Sequence, residues 1–173
     1  MKNLKILVCL IIVPLCSYSQ SGSEKKLIRA EQAKLRYETT QQLIASGNFV
    51  FVADRTIPTQ GNRISLINIY NQIKFENGEA EIMLPFFGIV RNATGYSHNP
   101  AVEYDGVVDD YKVQHNALKR KSTVEFSFKS GFETHMVRMT TRSNGYTSVM
   151  LKSTGRSNSV YDGYIRPIAE ASN

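Results

Sequence analysis

The chain has 173 residues, a formal net charge of +6 at pH 7 and two cysteines, Cys9 and Cys16. Both cysteines fall within the first 19 residues, which have the pattern of a targeting segment, so the mature chain excludes disulfides, thiol nucleophiles and cysteine metal sites. The basic residues are scattered apart from Lys119–Lys121. Because they form no stripe interleaved with aromatic residues, nucleic acid is set aside as a partner.

Residues 1–19 have the anatomy of a cleaved signal peptide. Two lysines precede an apolar run, Ile6–Leu15, which is too short to span a bilayer as an anchor. Ser17 and Ser19 supply small residues before a cleavage site at Gln20. We therefore expect an exported protein, periplasmic or extracellular, whose mature chain of about 150 residues forms one globular domain without a transmembrane span.

Cys16 leaves a second interpretation open, because a cysteine that follows an apolar run can carry a lipid. The residues before it are Val13, Pro14 and Leu15, whereas lipoprotein signals have a small residue immediately before the cysteine. Ordinary export is therefore favoured over lipid anchoring at Cys16.

Residues 20–47 are predicted to form an N-terminal helical segment. Ser21 and Glu24 have the spacing of a capping box, and Gly47 stands where a left-handed C-terminal cap is expected. One edge of this helix is expected to pack on a larger body, because its apolar stripe is thin and comprises Leu27, Ala30, Tyr37 and Ile44. The alternative is a disordered leader followed by a shorter helix.

From residue 48 to residue 173 the apolar period changes to two, which predicts a β-domain. Phe49, Phe51 and Ala53 share one face of a first strand, which ends at Pro58. A second strand, interrupted by Asn71, would carry on one face the apolar residues Ile67, Ile69, Ile73 and Phe75.

The dipeptide Asn77-Gly78 predicts a tight hairpin, because both central positions of a type I′ turn need a positive φ. A two-residue turn there fixes the register so that Phe75 faces Ala80 and Ile73 faces Ile82. The same register would set Asn71 opposite Leu84. The apolar residues of both strands then fall on one side, so the turn chemistry and the hydrophobic pattern agree.

The strand after this hairpin is expected to end at Pro85, where the proline removes a ladder donor. The stretch from Pro85 to Asp105 is predicted to be a long loop, and loops of that length are commonly functional.

The second half of the chain repeats the two-residue period. Val124, Phe126 and Phe128 alternate with polar residues, and Met136 and Met139 fall on opposite faces of the following strand. Turns are expected at Ser130-Gly131 and Asn144-Gly145, and a last strand at Val160–Ile168. Eight or nine short antiparallel strands favour a meander closed into a barrel, or a sandwich.

Three segments carry a family resemblance: L-P-F-F-G at Leu84–Gly88, A-V-E-Y-D-G ending at Gly106, and R-S-N-S-V-Y-D-G-Y-I at Arg156–Ile165. Together they resemble the DUF4251 family, exported proteins of Bacteroidetes-type bacteria with no assigned function. The resemblance implies a lipocalin-like antiparallel barrel and brings no catalytic residues. Where the family often has a tyrosine this chain has Phe86, which puts an aromatic hydroxyl role there in doubt.

The chemical inventory predicts no catalytic residues, no metal site and no cofactor. His98, His115 and His135 lack the spacing of metal ligands, and no nucleophile elbow, phosphate loop or cofactor glycine motif is present. Three acidic residues, Asp105, Asp109 and Asp110, could form an acid pair or a calcium site. A solvated acidic bend is favoured, because the companion ligands of a calcium loop are absent from the sequence.

Aromatic residues give the one positive indication of a site. Phe86, Phe87, Tyr96 and Tyr104 bracket the predicted loop, while Tyr161 lies on the last strand near Arg156. If a barrel closes and its first and last strands become neighbours, these six residues could line a mouth that holds a small apolar or sugar-like ligand. The alternative is that they are core residues, as alternating aromatics on strands usually are.

Three functions remain. The first is an exported, non-enzymatic binding module for a small ligand in the barrel mouth. The second is a protein–protein interaction or inhibitor domain at the cell envelope, which presents a loop or a strand edge to a partner. A hydrolase is the weakest hypothesis. A deep pocket with convergent polar groups would favour the first function, and a filled barrel with an exposed apolar patch the second.

Overall fold

The computed structural model of the protein describes residues 20–59, 61–67, 69–90 and 101–171. The predicted signal peptide, with Cys9 and Cys16, lies outside the described residues, as do Tyr96 and His98. The chain divides into two compact units, Met1–Arg36 and Tyr37–Asn173. The second unit contains the end of the N-terminal helix and every strand described below.

The N-terminal helix is present as predicted and forms α1 (Gln20–Ala45). Gly47 follows it with φ 68°, the left-handed conformation that ends a helix and that glycine adopts without a steric cost. Within the second unit, Tyr37 and Ile44 at the end of α1 are buried, and Ile44 belongs to the hydrophobic core.

In the part of the chain that the structure describes, ten strands and a short second helix follow α1. Their bounds are β1 (Phe49–Pro58), β2 (Ile64–Ser65), β3 (Gln72–Glu76), β4 (Glu79–Pro85), β5 (Ala101–Val107), β6 (Asp109–Asn116), β7 (Lys121–Ser130), β8 (Glu133–Arg142), β9 (Tyr146–Ser153), β10 (Ser159–Arg166) and α2 (Ile168–Ala171).

Nine of these strands form one antiparallel sheet in the order β5-β4-β3-β1-β10-β9-β8-β7-β6, and the two-residue β2 pairs with β1. The first and last strands are hydrogen-bonded neighbours, with Phe51 opposite Ile165. Residues of β5 also contact β7, so the sheet curls into a nearly closed barrel. The predicted antiparallel barrel is confirmed.

The Asn77-Gly78 hairpin has the predicted register. Phe75 lies opposite Ala80 and Ile73 opposite Ile82. Asn77 and Gly78 have φ 54° and 88°, the two positive values that a type I′ turn requires. The conformational preference of Asn77-Gly78 therefore determines the register between β3 and β4.

Gly78→Ala is expected to lower the free energy of unfolding by about 1 kcal/mol, because an L side chain at a left-handed φ is strained. No atom lies within 4 Å of the position that the new Cβ would take, so backbone strain is the whole effect. Urea unfolding measures the change, with Asn77→Gly as the near-neutral control. A loss for Asn77→Gly as large as that for Gly78→Ala would contradict the assignment of strain to one position.

The predicted second strand is wrong in its first half. Ile67 and Ile69 precede β3 and are exposed, because the chain there forms a loop rather than a ladder. The predicted pairing of Asn71 with Leu84 is also absent from the register of β3 and β4, which begins with Gln72 opposite Met83. Asn71 stabilises the loop instead. Its buried Nδ2 donates to the carbonyls of Leu66 at 2.9 Å and Ile69 at 2.6 Å, and its Oδ1 accepts from the Ala53 N–H at 3.1 Å.

The predicted loop from Pro85 to Asp105 is too long. Its last part is β5, which pairs with β4 so that Tyr104 lies opposite Ile82 and Asp105 opposite Glu81. Residues 91–100 of the predicted loop lie outside the described residues. Asp105 is thus a strand residue, and Asp109 and Asp110 begin β6, with all three side chains exposed to solvent.

Side chains close the seam between β5 and β7. The Tyr104 ring packs on Phe128 with centroids 4.6 Å apart, and the Ser130 hydroxyl donates to the Glu103 carbonyl at 3.0 Å. Gly106, near the end of β5, has a φ of 149°, and β6 carries a bulge between Asp109 and Lys112.

The barrel interior is occupied by one cluster of buried apolar side chains contributed by β1, β3–β5 and β7–β10. Aromatic rings run through it in contact, from Phe49 to Phe75 at 5.0 Å and from Phe75 to Phe126 at 4.9 Å. Inward and outward residues alternate on β7 as predicted. On β8, Met136 and Met139 lie on opposite faces as predicted, with Met139 buried and Met136 exposed. The two-residue period thus sorted the side chains correctly between core and solvent.

Candidate functional site

Three of the predicted site residues lie at the barrel end where β4 and β9 finish and β5, β8 and β10 begin. Phe86, Arg156 and Tyr161 converge there with two residues that the sequence analysis did not select, Glu133 and His135. We call these five residues the end cluster. Tyr104 packs beside it on Phe128, the residue whose ring stacks on His135 with centroids 4.8 Å apart.

An ion pair between Glu133 and Arg156 is the centre of the end cluster. The Arg156 Nε donates to Glu133 Oε2 at 2.8 Å, and the two side chains are 10% and 20% exposed. The Ser153 hydroxyl donates to the same oxygen at 3.3 Å. Arg156 also donates to the Ala101 carbonyl at 3.3 Å, and its guanidinium lies 5.2 Å from the centre of the Phe86 ring. The pair therefore ties β5, β8 and the start of β10 together.

His135 is the most buried polar residue of the end cluster, with 1% of its surface exposed. Its Nε2 lies 3.5 Å from Glu133 Oε2, and its Nδ1 has no hydrogen-bond partner among the described residues. Burial lowers the pKa of His135 below its ordinary value of 6.5, the positive charge of Arg156 lowers it further, and Glu133 opposes both.

Tyr161 is fully buried and donates its hydroxyl to the Pro85 carbonyl at 3.0 Å. Burial raises its pKa to about 12, so the phenol stays neutral and acts as a hydrogen-bond donor. The residue therefore fastens the end of β4 to β10.

The remaining predicted site residues lie apart from the end cluster. Phe87 is exposed, and Tyr104 uses its hydroxyl to donate to the Val107 carbonyl. Tyr96 is outside the described residues. The spacing of Glu133 and His135, two residues apart on one strand, was the available signal for their shared face. It was not decisive, because any two alternate residues of a strand share a face.

The side chains of the end cluster bond mainly to one another and to nearby backbone groups. This arrangement can hold a barrel end rigid. Among residues 20–59, 61–67, 69–90 and 101–171, no group of three or more His, Cys, Asp or Glu side chains could hold a metal ion. Of the other histidines, His115 is exposed with its Nδ1 2.8 Å from the Ser122 hydroxyl.

The free energy of unfolding is expected to fall as the pH drops below about 6.5, because unfolded His135 takes up a proton there more readily than the buried side chain does. Above that pH His135 is neutral in both the folded and the unfolded chain, so its contribution to the free energy of unfolding is fully retained. His135→Gln should remove this slope between about pH 7.5 and 5.5 in urea titrations, since glutamine does not titrate. The exposed His115→Gln is the control, and an unchanged slope in His135→Gln would contradict the prediction.

A second feature lies on the outer face of the barrel, over β6–β9. An open groove of about 270 Å³ there is lined by Asp110, Lys112, Glu125, Phe126, Ser127, Met136, Val137, Arg138, Met150 and Lys152. We call it the methionine groove, because Met136 and Met150, 56% and 40% exposed, form its apolar part.

Charged side chains border the methionine groove. Arg138 pairs with Glu125 at 2.5 Å. Lys112 and Lys152 make no ion pair with any residue that the structure describes. The alternation in the sequence placed Met136 and Met139 on opposite faces of one strand. It could not indicate the groove, because the residues that line it come from four strands.

These features define a class: a nearly closed antiparallel β-barrel protein with a filled interior and an internally paired ion cluster at one end. The chain belongs to the family described as "Domain of unknown function (DUF4251)", which matches residues 31–165. The family resemblance of the three sequence segments is thus confirmed.

The fold is similar to the crystal structure of a DUF4251 family protein from Bacteroides eggerthii DSM 20697. The TM-score is 0.62 at 16% sequence identity, and the likeness covers 79% of this chain and 90% of that chain. At this identity the comparison shows a shared fold. No curated protein matches the chain. Within the described residues, no helix is both long enough and apolar enough to cross a membrane.

Proposed function

We propose that the protein is an exported, non-enzymatic interaction module that binds a partner protein on the outside of its barrel. The observation that carries this proposal is the filled interior, in which inward-facing side chains of the strands form one buried apolar cluster. A barrel packed by its own side chains leaves its outer surface as the place for recognition.

The end cluster supports the same proposal. Tyr161 donates to a backbone carbonyl and Arg156 is paired with Glu133. A ligand in the barrel mouth would have to displace Phe86, which is buried, and compete with these internal bonds. Contact with a partner on the outer face requires no such rearrangement.

Site-specific photo-crosslinking in the native host tests this function. A photoreactive residue at Met150, on the outer face, is expected to give one discrete protein adduct. The same residue at Leu118, fully exposed in the turn after β6, is the control and should give none. Equal labelling at both positions, or none at Met150, would argue against a partner on this face.

A small ligand at the end cluster is the second candidate, favoured by the unpartnered His135 Nδ1 beside the predicted aromatic residues. A thermal-shift screen of the protein against lipids, glycans and haem-like compounds separates the two candidates. Stabilisation by about 2.7 kcal/mol is expected when a true ligand reaches 100 times its Kd. If such a compound is found and His135→Gln weakens its binding, the ligand function replaces the interaction function.

Export is proposed on the pattern of residues 1–19. The N-terminal sequence of the protein recovered from its host should begin at Gln20. A lipid-modified N-terminus at Cys16 would instead place the protein on a membrane surface. Recovery from the cytoplasm with an intact Met1 would contradict export.

A further inference from the structure

We propose that the methionine groove binds an acidic peptide segment that carries one large apolar residue. This inference rests on the proposed interaction function and specifies the chemistry of the partner.

The apolar part can accept a side chain of the partner. Met136 lies opposite Lys152, and Met150 lies opposite Arg138, so the two methionines are diagonal neighbours on β8 and β9. Each is substantially exposed in a position where polar residues are usual. Methionine is flexible and polarizable and adapts to the shape of a bound apolar group, which suits a recognition surface. The volume of about 270 Å³ is enough for one large side chain and its neighbours.

The bordering charges select an acidic partner. Lys112, Arg138 and Lys152 contribute three positive charges to the groove, and Asp110 and Glu125 contribute two negative ones. Arg138 and Glu125 neutralise each other at 2.5 Å. Lys129 lies on the same outward face of β7 as Ser127, which lines the groove, and the exposed Asp109 lies opposite Ser127 on β6. The cations beside the methionines therefore outnumber the anions. The groove attracts a carboxylate of the partner more strongly than an ammonium group.

The outer face of β3–β5 has the opposite character. A shallower recess of about 160 Å³ there is lined by Glu76, Glu79, Glu81 and Asp105, together with Lys74 and Asn77. The barrel is thus basic over β6–β9 and acidic over β3–β5. An acidic segment approaching the protein would be attracted to the methionine groove and repelled from the face over β3–β5.

Fluorescence anisotropy with three labelled nine-residue peptides tests the inference on the purified full-length chain. The first peptide contains aspartate and glutamate around a central phenylalanine. The second replaces the phenylalanine with serine, and the third replaces the acidic residues with lysine. The first is expected to bind at least about tenfold more tightly than either of the others, with an affinity that falls as salt is added.

Substitutions in the groove should remove this preference. Lys112→Glu combined with Lys152→Glu is expected to lower the binding affinity of the first peptide by about tenfold. Met136→Ser combined with Met150→Ser is expected to lower it by a similar factor. Lys119→Glu combined with Lys121→Glu is the matched charge control, because it reverses two lysines that do not line the groove, in the turn after β6 and at the start of β7, and it should leave binding unchanged. Circular dichroism and Tm confirm that each variant is folded.

Several outcomes would overturn the inference. Equal binding of the three peptides, or unchanged binding by the double lysine variant, would show that the groove does not select an acidic segment. Displacement of the peptide by a fatty acid, or self-association blocked by the same substitutions, would assign the groove to an amphiphile or to a second copy. If Met150 gives a crosslinked partner while the peptides are not discriminated, the interaction function stands and the acidic-peptide inference fails.

Discussion

Gly163→Ala is expected to lower the free energy of unfolding by about 4 kcal/mol or more, a large fraction of the stability of an ordinary domain. A Cβ at Gly163 would lie 1.9 Å from the Val52 carbonyl oxygen and 2.8 Å from the Ala53 Cα. Both atoms are backbone of β1, so no side chain can move aside to make room. β1 and β10, which are hydrogen-bonded neighbours in the sheet, would have to separate.

The cause is the close approach of β1 and β10. Gly163 lies opposite Ala53, directly before the irregularity between Ala53 and Arg55. Urea unfolding followed by far-UV circular dichroism measures the loss. Gly78→Ala is the matched control, because it also adds one methyl group to a glycine but meets no atom within 4 Å. Similar losses in the two variants would show that the β1–β10 contact is not the cause.

Glu133→Gln is expected to lower the free energy of unfolding by about 3 kcal/mol, because it removes the carboxylate that pairs with the mostly buried Arg156 guanidinium. Arg156→Met added to Glu133→Gln should recover more than half of this loss, since no buried charge then remains without its counterion. Urea unfolding of the two single variants and the double variant gives the coupling energy.

The pair between Arg138 and Glu125 is the control for Glu133→Gln. Its N–O distance is also short, at 2.5 Å, but its side chains are 63% and 35% exposed. Glu125→Gln is therefore expected to lower the free energy of unfolding by less than about 1 kcal/mol. If Glu125→Gln costs as much as Glu133→Gln, burial is not what makes the end cluster stabilising.

The elements that were predicted correctly depend on neighbours in the chain. The register of β3 and β4 followed from Asn77-Gly78 and the alternation of Ile73, Phe75, Ala80 and Ile82. The shared face of Val124, Phe126 and Phe128 on β7 followed from the same period, as did the placement of Met136 and Met139 on opposite faces of β8. A period of two indicates which side chains share a face, and a turn dipeptide fixes the register of the strand that follows. Both patterns involve residues within about ten positions of one another.

The wrong predictions concern segments whose local sequence pattern fits both a strand and a loop. Ile67 and Ile69 continue the alternation of Ile73 and Phe75, yet they belong to a loop that Asn71 holds through three hydrogen bonds. Tyr104 follows a proline-bounded polar stretch and was assigned to a loop, but β4 supplies a pairing edge for it. Tertiary contacts overruled the local pattern in both places.

The candidate site was predicted only in part. The sequence selected Phe86, Arg156 and Tyr161, and these residues do converge on one end of the barrel. It did not select Glu133 or His135, because the partner of Glu133 is 23 residues away in the sequence. The ligand role that was considered for the aromatic residues, beside the alternative that they are core residues, stays a prediction. In the structure Tyr161 and Arg156 make bonds within the protein.

The sequence by itself determined the secondary structure class, the N-terminal helix, the Asn77-Gly78 hairpin and the inward and outward faces of most strands. Only the tertiary structure decided that Gly163 touches β1, that Glu133 and Arg156 form a mostly buried ion pair, and that Met136 and Met150 share a groove. The physical reason is that alternation and turn chemistry act between residues close in the chain. Barrel closure brings distant strands together, and its energetics depend on which side chains then meet.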